Sequence, residues 1–403
     1  MNLNRIHQGI ISLIEPIPTG ASELQTISIL DRSGIRIGNA IAGMLRSFLR
    51  GAPMNWDPWI LKDDDRYLMF YLQGVEGQTP WWSVSNLCGA VSKDLYHWDD
   101  LGILLAPDPN HPWESGRISA GHTVKENGTY YLFYSAGGKE GQELKSEGIG
   151  LATSTDGIHW ERQYAASGSR SASRFPLIPS DDDPYYGRCN WTKHFHWRDP
   201  YIFKDPNSGK YFMFTCASSK TPGDFQGCVG LAVSDTIDGE YQILPPVIVA
   251  PPNAKDWGFY HLERPQVIYR NNQYHLFFSC FRMFQNQKWL HQHPRGRITN
   301  SSLHWYVSDR ITGQFLPVEQ NQSIVPGSET SGLYGTNLLE TANPDEYIAY
   351  GWYHRLHVLE VSPRYRIRWT GSGYEMRRAR TLRPHLSRPI LSGTLDPVCE
   401  FIE

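Results

Sequence analysis

One short pattern recurs five times along the chain and leaves few folds open to it. The runs Arg66–Tyr71, Thr129–Tyr134, Lys210–Thr215, Gln273–Phe278 and Glu346–Gly351 each place a tyrosine after a polar turn and follow it with aromatic and aliphatic residues. The anchor tyrosines Tyr67, Tyr130, Tyr211, Tyr274 and Tyr347 are separated by 63, 81, 63 and 73 residues. Before each run stands a second apolar stretch: Trp59–Leu61, His122–Val124, Tyr201–Phe203, Gln266–Ile268 and Asn337–Leu339. Between the two lie turns rich in Asp, Asn and Gly, which is hairpin chemistry. A third strand follows in Gly89–Ser92, Gly150–Ser154, Gly230–Ser234 and His304–Ser308, closed by Asp94, Asp156, Asp235 and Asp309. Those Ser and Asp residues read as turn formers, because short polar side chains bond nearby backbone. A fourth strand opens at Trp98, Trp160, Tyr241 and Phe315. In the fifth copy, His357–Val361 stands for the third strand and Arg366–Trp369 for the fourth.

Four antiparallel strands repeated five times predict an all-β fold, a five-bladed β-propeller of four-stranded blades. A β-sandwich with extra domains is the other arrangement with this many strands, but it does not call for five self-similar units. The propeller also accounts for much of the excess of 14 Trp, 22 Tyr and 16 Phe, which recurs in its strands. It spans 54–403, leaving 1–53 as an N-terminal extension. There Ile37, Ile41, Met44, Leu45 and Phe48 have helical spacing, so a short amphipathic helix is expected to pack on the propeller. Residues 162–196 and 283–300 are long connections, which in compact domains tend to line a functional mouth.

The net charge of -3 argues against nucleic-acid binding, and no run reaches the roughly 18 apolar residues a membrane-spanning helix needs. The apolar stretch Gly9–Ile14 is cut short by Glu15, so the expectation is a cytoplasmic protein, or one exported without a classical signal peptide. Six cysteines without a Cys-x-x-Cys pair suit neither a disulfide scaffold nor structural zinc; Cys216 and Cys280 read as small buried side chains. The pairs His194/His196 and His291/His293 and the run Asp181–Asp183 have metal-binding residue types, but solvated loops explain them as well, and no metal or cofactor is expected. Asn127, Asn190, Asn300 and Asn321 begin glycosylation sequons, which matter only on export.

The sharpest signal sits just before the first strand of each copy. Copies one, three and four read Trp56-Asp57-Pro58-Trp59, Trp197-Arg198-Asp199-Pro200-Tyr201 and Leu262-Glu263-Arg264-Pro265-Gln266; copies two and five read Ala120-Gly121-His122 and Tyr334-Gly335-Thr336-Asn337. Innermost strands of a propeller converge on its axis, so Asp57, Asp199 and Glu263 are predicted to share one pocket at a common register. Like charges in a partly dry site raise a pKa, and a protonated acid facing an ionised carboxylate is what glycoside hydrolysis requires. Arg198 and Arg264 offset the remaining charge. Trp56, Trp59, Trp113 and Trp197 are candidates for stacking on sugar rings, with core packing as the alternative for each.

These three motifs, in order and on the matching repeats, resemble the signatures of glycoside hydrolase family 68, the levansucrases and related β-fructofuranosidases, which are kin of the family 32 invertases and the family 43 propeller glycosidases. Gly227–Ser234 followed by Tyr241–Pro246 resembles that family's third blade. The resemblance covers about residues 54 to 340 and implies a retaining glycosidase or fructosyltransferase acting on a small carbohydrate such as sucrose or a short fructan. It implies Asp57 as nucleophile, Glu263 as general acid and base, and Asp199 as the group that holds fructose hydroxyls and stabilises the transition state. Arg198 and Arg264 would bind hydroxyls and tune the carboxylates. Trp113 and Ser115, in Pro112-Trp-Glu-Ser-Gly116, resemble the Trp-Ser-Gly motif offset by one residue; His122 and Arg282 complete the expected substrate contacts. His261 stands where levansucrases carry a polar or acidic residue. An inverting arabinofuranosidase or xylosidase of the family 43 kind and a non-catalytic sugar-binding propeller are the competing readings.

Overall fold

The structure is a computed structural model that describes residues 55–75, 83–140, 143–163, 175–253, 255–292, 302–318, 323–325, 333–353, 365–370, 373–378 and 386–387. The expected N-terminal extension and its helix, the run His357–Val361, and His293 lie outside the described residues.

Five antiparallel sheets follow one another along the chain. The first holds β1 (Asn55–Asp63), β2 (Arg66–Gly74), β3 (Ser85–Ser92) and β4 (Trp98–Leu105). The second holds β5 (Arg117–Glu126), β6 (Thr129–Glu140), β7 (Glu143–Ser154) and β8 (Glu161–Arg162). The third holds β9 (Trp197–Lys204), β10 (Tyr211–Ser218), β11 (Gly227–Ser234) and β12 (Gln242–Val249). The fourth holds β13 (Glu263–Arg270), β14 (Gln273–Cys280), β15 (Ser302–Ser308) and β16 (Leu316–Pro317), with β17 (Ser323–Val325) also on β15. The fifth holds β18 (Leu333–Glu340), β19 (Glu346–Tyr353), β20 (Tyr365–Thr370) and β21 (Gly373–Arg378). A further strand, β22 (Leu386–Ser387), pairs in parallel with β4 of the first blade. This is the expected five-bladed propeller. One assignment within it is corrected: β20, which contains Arg366–Trp369, is the third strand of the fifth blade, paired to β19, and β21 is the fourth.

The recurring runs supply the second strand of every blade, and alternate residues of each run face opposite neighbours. Leu68, Phe70 and Leu72 pack with Tyr130, Leu132 and Tyr134 of the second blade. Met69 and Tyr71 turn the other way, onto Leu339 and Tyr350 of the fifth. Phe133 meets Met213 and Tyr241; Phe214 meets Leu276 and Phe278; Phe277 meets Leu338, Ala349 and Ile367. Five clusters therefore fill the five spaces between blades, which is why the runs are apolar on both faces. The turns behave as read. Asp64, Asn127 and Asn271 take positive φ in the hairpins. Asp94 Oδ1 accepts the backbone N–H groups of Tyr96 and His97 at 2.7 and 2.8 Å, and Asp156 does the same for Ile158 and His159. Cys88, Cys189, Cys216, Cys228 and Cys280 are buried free thiols.

The inner strands share one irregularity. Between Trp56 and Trp59, Ser119 and Gly121, Arg198 and Tyr201, Glu263 and Gln266, and Tyr334 and Asn337, each carries one residue more than its partner strand. Such bulges bend a strand and re-aim a side chain. Pro58, Pro200 and Pro265 sit in the bulges, where a missing N–H costs no ladder bond.

Candidate active site

The bulges sort the axial residues into tiers by strand register. Nearest the start of the strands are Trp56, Ser119, Arg198, Glu263 and Tyr334. Next come Asp57, Ala120, Asp199, Arg264 and Gly335. Below these are Trp59, His122, Tyr201, Gln266 and Asn337, each opposite an aromatic of its partner strand. Asp57 (φ 48°), Asp199 (φ 55°), Arg264 (φ 55°) and Gly335 (φ 55°) share one left-handed backbone conformation. For the three residues with a Cβ this is strained by about 1–3 kcal/mol each, a cost tolerated where function needs the side chain aimed. Gly335 is required there for a second reason: a Cβ on it would lie 2.8 Å from Asp57 Oδ1 and 3.0 Å from Trp352 Nε1.

The single shared register expected for the three carboxylates is thereby corrected. Asp57 and Asp199 are equivalent, but Glu263 stands one position earlier, equivalent to Trp56 and Arg198, and Arg264 fills the bulge of the fourth blade. The site has two carboxylates in one tier and a third above them.

The lowest tier fastens blade to blade. Trp59 Nε1 donates to Thr123 Oγ1 at 3.0 Å, and the Ile202 N–H donates to His122 Nδ1 at 3.1 Å. Gln266 exchanges two bonds of 2.7 Å with the backbone of Leu338, and Asn337 Nδ2 donates to the Pro58 carbonyl at 3.1 Å. His122 is thus a neutral acceptor between blades, its pKa pushed down to about 3 by burial and by Arg264. Trp59 and Trp197 are 2% and 0% exposed and pack in the core, and Trp56 is 6% exposed beside Asp57.

Arg264 closes the axis beneath the carboxylates. Its guanidinium reaches the carbonyls of Gly121 and Pro58 and Asn337 Oδ1 at 3.3–3.4 Å, and lies 5.4 Å over the Trp59 ring. Its backbone N–H donates to Asp199 Oδ2 at 3.1 Å, while the Asp199 N–H donates to Ser135 Oγ at 3.1 Å. Asp57 Oδ1 accepts from Trp352 Nε1 at 2.8 Å. Burial pushes Asp57 up to about 7, with Asp199 and Glu263 adding to it and Arg264 and Trp352 opposing. Burial likewise raises Asp199 to about 6, with Arg198 and Arg264 pulling down and Glu263 pushing up. Repulsion between the carboxylates contributes as expected, but loss of water is the larger cause.

Glu263 is gripped on both oxygens. Arg198 donates to Oε1 at 2.7 Å, and the Tyr334 hydroxyl bonds Oε2. Arg198 is itself divided: its other terminal nitrogen donates at 3.0 Å to Glu147 Oε2, which also meets His196 Nδ1 at 3.0 Å. Arg117 holds the other oxygen of Glu147. Burial works against the Glu147 charge, yet Arg198, His196 and Arg117 outweigh it and hold the carboxyl well below its usual range. Glu147, Tyr334 and Trp352 were not singled out in the sequence. Trp352 had a visible signal: five residues after the anchor, copies two to four carry Ser135, Cys216 and Ser279, and copy five carries this large ring.

Trp113 is half-buried against Tyr134, with ring centroids 5.9 Å apart. Ser115 Oγ donates to the Pro112 carbonyl at 3.2 Å, within its own turn. Arg282 opens the 3-10 turn Arg282–Phe284 that follows β14 and leads into helix α1 (Gln287–His291). His196 is engaged with Glu147 and Thr192, and Asp183 caps the N–H groups of Tyr185 and Tyr186. A cavity of about 370 Å³ is lined by Tyr269, Arg270 and residues 340–347, at the far ends of β13 and β18 and away from the carboxylates.

Comparison with known proteins agrees with the fold. Residues 54–229 match the N-terminal domain of the glycosyl hydrolases of family 32. A levansucrase of Rahnella aquatilis is 25% identical over 182 residues, covering 39% of this chain and 40% of that protein. An extracellular endo-alpha-(1->5)-L-arabinanase of Thermotoga petrophila is 29% identical over 144 residues, covering 35% of this chain and 26% of that protein. The inulosucrase of Halalkalicoccus jeotgali, solved bound to kestose, has the same fold, with a TM-score of 0.62 at 18% identity over 84% of this chain and 91% of that one. The chain matches about two fifths or less of the length of these two curated relatives.

Proposed function

We propose that this chain, a relative of the family 32 glycosyl hydrolases and the levansucrases, is a retaining β-fructofuranosidase or fructosyltransferase acting on sucrose or a short fructan. The observation that carries the reading is the separation of two carboxylates into different settings. Asp57 is fixed by one donor on Oδ1, which leaves its other oxygen for the substrate, whereas Glu263 is oriented by Arg198 and Tyr334 in the tier above.

In the first step an oxygen of Asp57 attacks the anomeric carbon of the fructosyl group. The glycosidic C–O bond breaks, and Glu263 gives its proton to the departing oxygen. In the second step Glu263 takes a proton from water or an acceptor hydroxyl, whose oxygen attacks the same carbon, and the ester to Asp57 breaks. Asp199 accepts hydrogen bonds from fructose hydroxyls and offsets the positive charge that develops on the ring. In this reading Trp113, Ser115 and Arg282 contact the bound sugar.

The test is incubation with sucrose, with glucose and fructose measured separately. Equal release marks hydrolysis, glucose in excess marks transfer, and neither product excludes sucrose as substrate. The arabinanase likeness supports a second reading, an inverting enzyme on arabinan; turnover of arabinan without sucrose cleavage would establish it. Sugar binding without turnover of either would mark a binding propeller.

A further inference from the structure

Trp191 is 45% exposed, and among the described residues Tyr185 is the other aromatic side chain with comparable exposure, at 38%. It is not loosely held. The turn that carries it is closed by bonds of 2.8 Å from the Cys189 N–H to the His194 carbonyl and from the Lys193 N–H to the Cys189 carbonyl. The Asn190 N–H is tied to Gln226 Oε1. The indole rests on Tyr260, Phe284 and His261, with ring centroids at 5.1, 5.4 and 5.9 Å. A rigid ring with one face supported and part of its surface left in water is a built feature, since apolar area kept in water forgoes stabilisation.

Its position links it to Glu263. Tyr260 and His261 immediately precede β13, which Glu263 opens. Phe284 packs on Phe281 at 5.2 Å, Phe281 stacks on Tyr334 at 3.7 Å, and the Tyr334 hydroxyl bonds Glu263. The aromatic ridge therefore runs from the carboxyl that protonates the leaving oxygen out to Trp191. His261 is 3% exposed and its Nδ1 has no partner among the described residues. Burial, His196 and Arg198 keep its ring neutral.

We propose that Trp191, backed by Tyr260 and Phe284, is the stacking platform for the pyranose sugar that departs from, or arrives at, the fructosyl group. This rests on the reading of Asp57 and Glu263 as the reacting pair. A pyranose ring presents a flat C–H face that suits an indole, and an uncharged His261 leaves the neighbouring floor to shape and hydrogen bonding rather than ion pairing. The platform acts on the leaving or accepting sugar and not on the fructosyl ring bound at the axis.

The test compares sucrose with methyl β-D-fructofuranoside, which has the same fructosyl group and no pyranose. In Trp191→Ala, KM for sucrose is expected to rise about tenfold, while kcat/KM for the methyl fructoside stays within about twofold. Trp191→Phe should recover most of the sucrose KM. An unchanged sucrose KM in an active Trp191→Ala protein would overturn the platform alone. Equal losses on both substrates would show a structural role and overturn it as well. A wild-type protein that cleaves neither substrate would overturn the reading of the carboxylates, and the platform with it.

Discussion

The indole of Trp352, at the end of the last blade's second strand, donates a 2.8 Å hydrogen bond to Asp57, at the start of the first blade. The closure of the propeller and the orientation of its proposed nucleophile are thus one contact.

Trp352→Phe keeps the ring and removes the donor. The bond lowers the pKa of Asp57, so its loss should shift the acid limb of the kcat/KM profile to higher pH, with kcat down roughly tenfold to a hundredfold. A profile and kcat matching the wild type would dismiss an orienting role.

Asp57 is raised from 3.8 to about 7, so its effect on stability has a definite sign. A carboxyl held above its unfolded value supports the fold fully at low pH and loses that support as pH rises through about 7. Asp57→Asn, which carries no charge at any pH, should therefore raise Tm more at pH 8 than at pH 5. Thermal unfolding at the two values checks this, and an equal or reversed difference would count against it.

Glu147 divides the attention of Arg198 between itself and Glu263. In Glu147→Gln the carboxylate that anchors one end of the guanidinium is lost, so Arg198 should hold Glu263 less precisely and kcat should drop roughly tenfold or more. Glu147→Asp should recover part of kcat. A kcat matching the wild type in Glu147→Gln would dismiss the positioning role.

Phe277 is fully buried between the fourth and fifth blades, stacked on Trp305 and Trp369 at 5.9 Å each. Phe277→Ala should cost about 3–5 kcal/mol in urea unfolding. A loss below about 1 kcal/mol would mean that this interface contributes little to the fold.

The blades were legible because a local signal recurs: an apolar run and a turn of Asp, Asn or Gly in all five, and a Ser-Asp cap in four. The fifth blade was misread by one strand because its cap is missing, and only pairing assigns Tyr365–Thr370 to the third place. Asp57, Asp199 and Glu263 were legible by their distance from the anchor tyrosines. Their tiers were not, because a one-residue bulge shifts register without a distinct sequence mark; the Pro in each motif reads equally as a turn. His122 stood beside the motifs, but the bond that its Nδ1 accepts from the Ile202 N–H of the next blade had no mark in the sequence. Glu147 and Tyr334 come from parts of the chain remote from Glu263, and nothing local announced that folding would bring them to it.

The most direct test is to quench the protein with acid during sucrose turnover and map its peptides by mass. The account predicts one fructosyl group on the peptide containing Asp57, absent in an inactive Asp57→Ala protein. A fructosyl adduct on another residue, or sustained turnover by Asp57→Ala, would contradict it.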